Sequence, residues 1–215
     1  MKIILLSLLF SFGTFASELP KTPENCFTDK NYCSNWEVLQ DATKTRFIRI
    51  NFFAELSKDH FTSVQDIEKL YMDFPAWPTY AKDSNSIKMT LSRPAGSGIG
   101  KNGLPFLSHE ANYTIRGPAP VNWVKVKETT TYQKIPEVGN ALSSWTFDLA
   151  KDIKELEGLK AKSGELHIGF DAEKNVYLIC VIVDIHPSIA ILHKLAAPYM
   201  EAGFVSMFLG MFDLK

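Results

Sequence analysis

The sequence predicts an α+β domain built from an antiparallel sheet of seven strands, short helices after the first strand, and one long C-terminal helix. Three observations carry this reading. Seven segments read as strands, some by two-residue alternation, as in RFIRINFFAEL, SIKMTLSR and SSWTFDL, others by their β-branched and aromatic content. One segment, SVQDIEKLY, has helical spacing and runs straight into a proline-punctuated aromatic stretch, MDFPAWPTYAKDS. The chain closes on HPSIAILHKLAAPYMEAGFVSMFLGMFDLK, which is apolar around much of a helical circumference.

The first residues, MKIILLSLLFSFGTFASELP, read as a secretory signal peptide: one lysine, an apolar run from Ile3 to Phe12, then small residues Thr14 and Ala16 before a cut at Ser17. The run is too short to span a bilayer, and Glu18 and Pro20 follow it rather than a stop-transfer pattern. The expected organisation is therefore a signal peptide over 1–16, an N-terminal extension over 17–44, and one domain over 45–215. A periplasmic or secreted location follows.

Within the extension, Cys26 and Cys33 lie in the polar, turn-rich ENCFTDKNYCSNW. An oxidising compartment favours a local disulfide between them. A metal site is the alternative, and two thiols without a nearby histidine make a weak ligand set. Cys180, inside VYLICVIVDI, reads as a buried and inert thiol.

RFIRINFFAEL, Arg46 to Leu56, places Ile48, Ile50, Phe52 and Ala54 on one face of the first strand. Thr62 or Ser63 caps the next helix, whose apolar stripe is Val64, Ile67, Leu70 and Tyr71, with Asp66 at its positive end. Pro75 and Pro78 then stop any long continuation. SIKMTLSR follows as a strand, and the glycine-rich PAGSGIGKNGLP reads as a long flexible loop. SHEANYTIRG, NWVKVKETTTYQ, SSWTFDL, GLKAKSGELHIGF and VYLICVIVDI complete six strands in succession, which argues a meander. Ser188 is placed to cap the terminal helix, which should run to about Met211 and bend at Pro198 and Gly203.

This order of elements resembles the START-like, or SRPBCC, superfamily, which also holds polyketide cyclases and Bet v 1-type proteins. Two stretches carry the likeness: SVQDIEKLYMDFPAWPTYAKDSNSIKMTL, and VIVDIHPSIAILHKLAAPYMEAGF. The resemblance runs from Thr45 to Phe212. It implies a helix-grip fold, a curved sheet wrapped around the C-terminal helix, with the proline elbow closing one end of a cavity. It implies, in turn, a lipid or another hydrophobic small molecule as partner. The cavity-lining candidates are Trp77 at the elbow, Met89, Leu91, Trp145 and Phe147 from the sheet, and Met200, Phe204 and Met207 from the helix. The same residues equally suit a plain hydrophobic core.

Other functions have less to stand on. Lys and Arg total 23 against 24 Asp and Glu; without Lys2 the balance is 22 − 24, or −2, with no basic block to suit nucleic acid or a membrane surface. The five histidines show no metal-ligand spacing, and no cofactor is expected; His186 and His193 read as cap and surface residues. AGSGIGKNG departs from a P-loop at Ala95 and Asn102. The expected role is binding without chemistry. The alternatives are a cyclase- or hydrolase-like enzyme on the same scaffold, or an interaction module with a closed interior. An enzyme would need ionisable groups inside, and Glu128, Tyr132, His167 and Asp184 are the candidates, although solvated positions suit each of them.

Overall fold

The computed structural model describes residues 22–117, 123–149, 159–187 and 193–214. The expected signal peptide and the proposed helix cap at Ser188 lie outside the described residues. The strands are β1 (Tyr32–Gln40), β2 (Arg46–Ser57), β3 (Ile87–Ile99), β4 (Pro105–Arg116), β5 (Trp123–Ile135), β6 (Ser143–Leu149), β7 (Leu159–Asp171) and β8 (Val176–Pro187). Three α-helices accompany them: α1 (Val64–Tyr71), α2 (Trp77–Tyr80) and α3 (His193–Met211), with a 3₁₀ turn over Phe74–Ala76 before α2.

All eight strands form one antiparallel sheet in the order β1-β2-β8-β7-β6-β5-β4-β3. The run from β3 to β8 is the expected meander. The count of seven is corrected to eight by β1, which lies inside the stretch expected to be an extension and pairs with β2 from Tyr32↔Ala54 to Gln40↔Arg46. As an edge strand it is only partly covered, so its sequence lacks the sustained apolar alternation of a central strand. Cys26 and Cys33 form a disulfide at its start.

A second correction concerns PAGSGIGKNGLP. Most of it is strand, not loop: β3 continues to Ile99, β4 begins at Pro105, and only Gly100 to Leu104 turn between them. Glycines and Pro94 are tolerated there because β3 is the other edge of the sheet and has a neighbour on one side only.

Helix α1 starts at a capping box: Ser63 Oγ accepts from Asp66 N, and the Asp66 carboxylate accepts from Ser63 N. The two prolines do not break structure so much as restart it. Pro75 and Pro78 each sit in a first turn, where no N–H is needed. Helix α3 covers one face of the sheet, hereafter the inner face, with Ala197, Met200, Phe204, Met207, Phe208 and Met211 buried against it. Its C-terminal half rests on the elbow. A Cβ on Gly210 would come within 2.3 Å of the Tyr80 carbonyl oxygen, so only glycine allows that approach. Among the described residues no helix is long and apolar enough to cross a membrane.

Candidate functional site

The inner face can be read from strand register. Ile48, Ile50, Phe52 and Ala54 of β2 stand beside Ile185, Val183, Val181 and Ile179 of β8. Next come Lys162, Gly164, Leu166 and Ile168 of β7, then Phe147 and Trp145 of β6. Thr130 and Tyr132 of β5 follow, with Glu128 and Val126 further along the strand. His109, Ala111, Tyr113 and Ile115 of β4 complete the set. These residues and α3 enclose one hydrophobic core.

Of the eight predicted lining residues, Trp77, Trp145, Phe147, Met200, Phe204 and Met207 are buried in that core, and Met89 packs against it. Leu91 does not join them. A register shift between Met89 and Leu91 pairs Leu91 with Asn112 on the outer face, and Ser92 takes the inward position. On the helix, Leu195 is exposed.

The elbow supplies an aromatic box. Trp77 donates from Nε1 to the Tyr71 carbonyl at 3.0 Å and meets Tyr71, Phe74 and Tyr132 edge-on. His109, fully buried, stacks on Phe74 with centroids 4.3 Å apart. Ser92 Oγ donates to the Phe74 carbonyl and therefore accepts from His109 Nε2 at 2.8 Å, which leaves Nδ1 as a buried acceptor without a partner among the described residues. Burial, with the Lys162 charge second, pushes the imidazole down to about 3, so the ring is neutral.

A charged group stands deeper along the same face. Glu128 forms an ion pair with Lys162, and its other carboxylate oxygen accepts from the Tyr113 hydroxyl at 2.7 Å. Thr130 Oγ1 adds a third hydrogen bond at 3.2 Å. Glu128 is 3% exposed and Lys162 5%. The Lys162 ammonium lies 5.8 Å from the ring centres of both Tyr113, on the sheet, and Phe204, on α3. It therefore faces the seam between sheet and helix. Burial first, and then Glu128, push the Tyr113 hydroxyl well above its ordinary range.

The four candidate ionisable residues thus divide. Glu128 and Tyr132 lie buried on the inner face, not solvated, and Tyr132 stacks among the aromatics. His167 and Asp184 belong to the outer face. His167 is buried there between Ser144 Oγ at 3.0 Å and Glu165 Oε2 at 2.7 Å, and Asp184 holds Arg49 through two hydrogen bonds. Cys180 lies opposite His167 across the strands and is half-buried on the outer face, not fully buried as expected; the cover it has still pushes its thiol up to about 12, which suits an inert residue. His193, expected at the surface, is buried and contacts the Arg46 carbonyl through Nε2 at 2.9 Å.

Lys162, Tyr113 and His109 were not among the expected site residues. Each sits in phase with apolar inner positions of its own strand, so a signal existed. A second charged node, Glu68 of α1, takes Lys134 and Trp145 Nε1 at 2.9 Å each, together with Ser143 Oγ, and ties that helix to β5 and β6. Among the described residues no group of three or more His, Cys, Asp or Glu is arranged to hold a metal.

The sequence matches no protein-family model and no curated protein. Solved structures do match. A protein from Thermus thermophilus, TTHA0849, is similar at a TM-score of 0.50 and 11% identity, over 77% of this chain and 93% of that one. A START superfamily protein from Mycobacterium smegmatis gives 0.45 and 12%, over 77% and 97%. The human StarD13 lipid transfer and protein localization domain gives 0.39 and 10%, over 83% and 89%. With the antiparallel sheet and its covering C-terminal helix, the fold is START-like.

Proposed function

We propose that the chain is an exported START-like protein that holds a lipid or other hydrophobic small molecule between the inner face of its sheet and α3. The observation that carries the reading is the placement of Glu128, Lys162 and Tyr113 in the seam between an apolar sheet and an apolar helix. A buried ion pair adds little to stability compared with apolar side chains of the same volume, so a need outside folding accounts for it better. Around it, the adaptable side chains of Met89, Met200 and Met207 line an interior that suits apolar chains of varied shape. Burying about ten methylenes there contributes on the order of 8 kcal/mol before the cost of immobilisation, enough for binding without further polar contacts.

Export is supported by the apolar run from Ile3 to Phe12 and by the Cys26–Cys33 disulfide. Two measurements test the proposal. Native mass spectrometry and organic extraction of protein purified from an oxidising compartment should find a co-purifying hydrophobic molecule. Its N-terminal sequence should begin at Ser17. A ligand-free protein that binds nothing from a lipid panel ends the reading.

A second reading, an enzyme of the cyclase or hydrolase kind, draws on the same trio. Glu128, with Tyr113 and Lys162 in direct contact, is positioned to move a proton inside a desolvated space. It predicts that turnover of any substrate found for the protein collapses in Glu128→Gln. On this reading a His167 variant leaves turnover intact, because His167 faces away.

A further inference from the structure

The Lys162–Glu128–Tyr113 group constrains which hydrophobic molecule would fit, given the ligand-binding reading above. Among the described residues the Lys162 ammonium makes one hydrogen bond, to Glu128. The rings of Tyr113 and Phe204 flank it and offer π faces rather than strong acceptors. The Glu128 carboxylate, by contrast, is well supplied, with donors from Lys162, Thr130 and Tyr113. Among the described residues the group is therefore rich in unfilled donors and poor in unfilled acceptors.

Its charge balance is equally specific. Lys162 and Glu128 cancel, and the other ion pair on this side among the described residues, Lys134 with Glu68, cancels as well. Tyr113, Tyr132 and His109 are neutral. A carboxylate or phosphate entering beside Lys162 would bring an uncompensated negative charge next to Glu128, inside apolar walls. A neutral oxygen acceptor would not.

We infer that the inner face takes an uncharged hydrophobic molecule bearing a carbonyl oxygen, such as a ketone, ester or amide, and that Lys162 donates to that oxygen from beneath Phe204. Glu128 and Tyr113 position the ammonium and keep the group neutral overall. The selectivity is thus the opposite of what a lone buried lysine would give, which is preference for an anion.

Three naphthalenes of similar size test this: 2-acetylnaphthalene, 2-naphthoate and 2-ethylnaphthalene, titrated at pH 8 against the full mature protein by fluorescence. The ketone should bind at least about tenfold tighter than both the hydrocarbon and the carboxylate, the size of effect one charge-assisted hydrogen bond gives. The double variant Lys162→Met/Glu128→Gln removes both charges together and so avoids an unpaired buried charge; circular dichroism would verify its fold. In it the ketone and the hydrocarbon should bind equally. Tightest binding of the naphthoate, equal binding of all three by the native protein, or binding of none would each overturn the inference. The lipid-extraction result stands apart from these outcomes. A retained lipid with no ketone preference removes the carbonyl subsite and leaves the ligand reading in place.

Discussion

A lysine 5% exposed inside a sheet-and-helix interior is tolerable only while its carboxylate partner is present. Lys162→Met alone leaves Glu128 charged and unpaired and should cost on the order of 3 kcal/mol or more. Adding Glu128→Gln should recover most of that loss, because the neutral amide still accepts from Tyr113. Urea midpoints of the two variants check this, and a double variant no more stable than the single one contradicts it. His109 makes a pH prediction of definite sign. Its folded value lies at about 3 and its unfolded value near 6.5, so between them the unfolded chain binds the extra proton. The contribution is complete above 6.5 and is lost as pH falls, by about 1.4 kcal/mol per unit. From pH 7 to 5 the native protein should lose about 2 kcal/mol more than His109→Gln, read from urea unfolding at the two values. None of this was legible residue by residue. Glu128 was a candidate from strand position alone, but its neighbour Lys162 comes from a strand two places away in the sheet, and only register brings them together. Leu91 shows the converse limit: strict alternation puts it beside Met89, and one bulge sends it outward.

At the scale of elements, what could be read depended on where a strand sits. Central strands announce themselves: β2 and β8 are apolar at nearly every inner position, and their pattern alone marks them as strands. The edges were missed, β1 altogether and the glycine-rich half of β3, because an edge buries one side of its ladder and tolerates polar and small residues. The capped α1 and the proline elbow were legible because their signals are local, a Ser-x-x-Asp box and two prolines in first turns. Strand β1 also explains what the disulfide does. Cys33 is the second residue of the strand, opposite Phe53, and Ser34 Oγ donates to Glu201 of α3 at 2.7 Å. The crosslink therefore fixes an edge that touches the covering helix. Cys26→Ser/Cys33→Ser should lower stability by at most about 2.5 kcal/mol, the chain-entropy value for so short a loop. Hydrogen exchange should quicken first in Tyr32 to Gln40. Uniform acceleration across β2 and β8 would instead mean that the crosslink stabilises the whole sheet.

For the whole molecule, the question is how a ligand would reach an interior this well covered. The inner-face residues from Ile48 to Ile185 and the sheet-facing helix residues Met200, Phe204, Met207, Phe208 and Met211 are buried, so exchange requires an element to move. Helix α3 is the candidate, because it contributes one wall of the seam and, beyond its apolar packing on the sheet, is tied down at discrete points. Among the described residues these include His193 to the Arg46 carbonyl, Glu201 to Ser34, the close approach of Gly210 to Tyr80, and a hydrogen bond of 2.6 Å between Ser206 and Ser84. The last offers a lock. With two hydroxyl oxygens that close, Ser84→Cys/Ser206→Cys brings two thiols within bonding reach. The oxidised form should take up and release 2-acetylnaphthalene at least about tenfold more slowly than the reduced form, with little change in equilibrium affinity, since the lock bears on the path and not on the bound state. Stopped-flow fluorescence on the same preparation before and after reduction separates the two. Equal rates in both forms would place the moving part elsewhere, in the elbow or at the β1 edge, and would remove α3 as the gate.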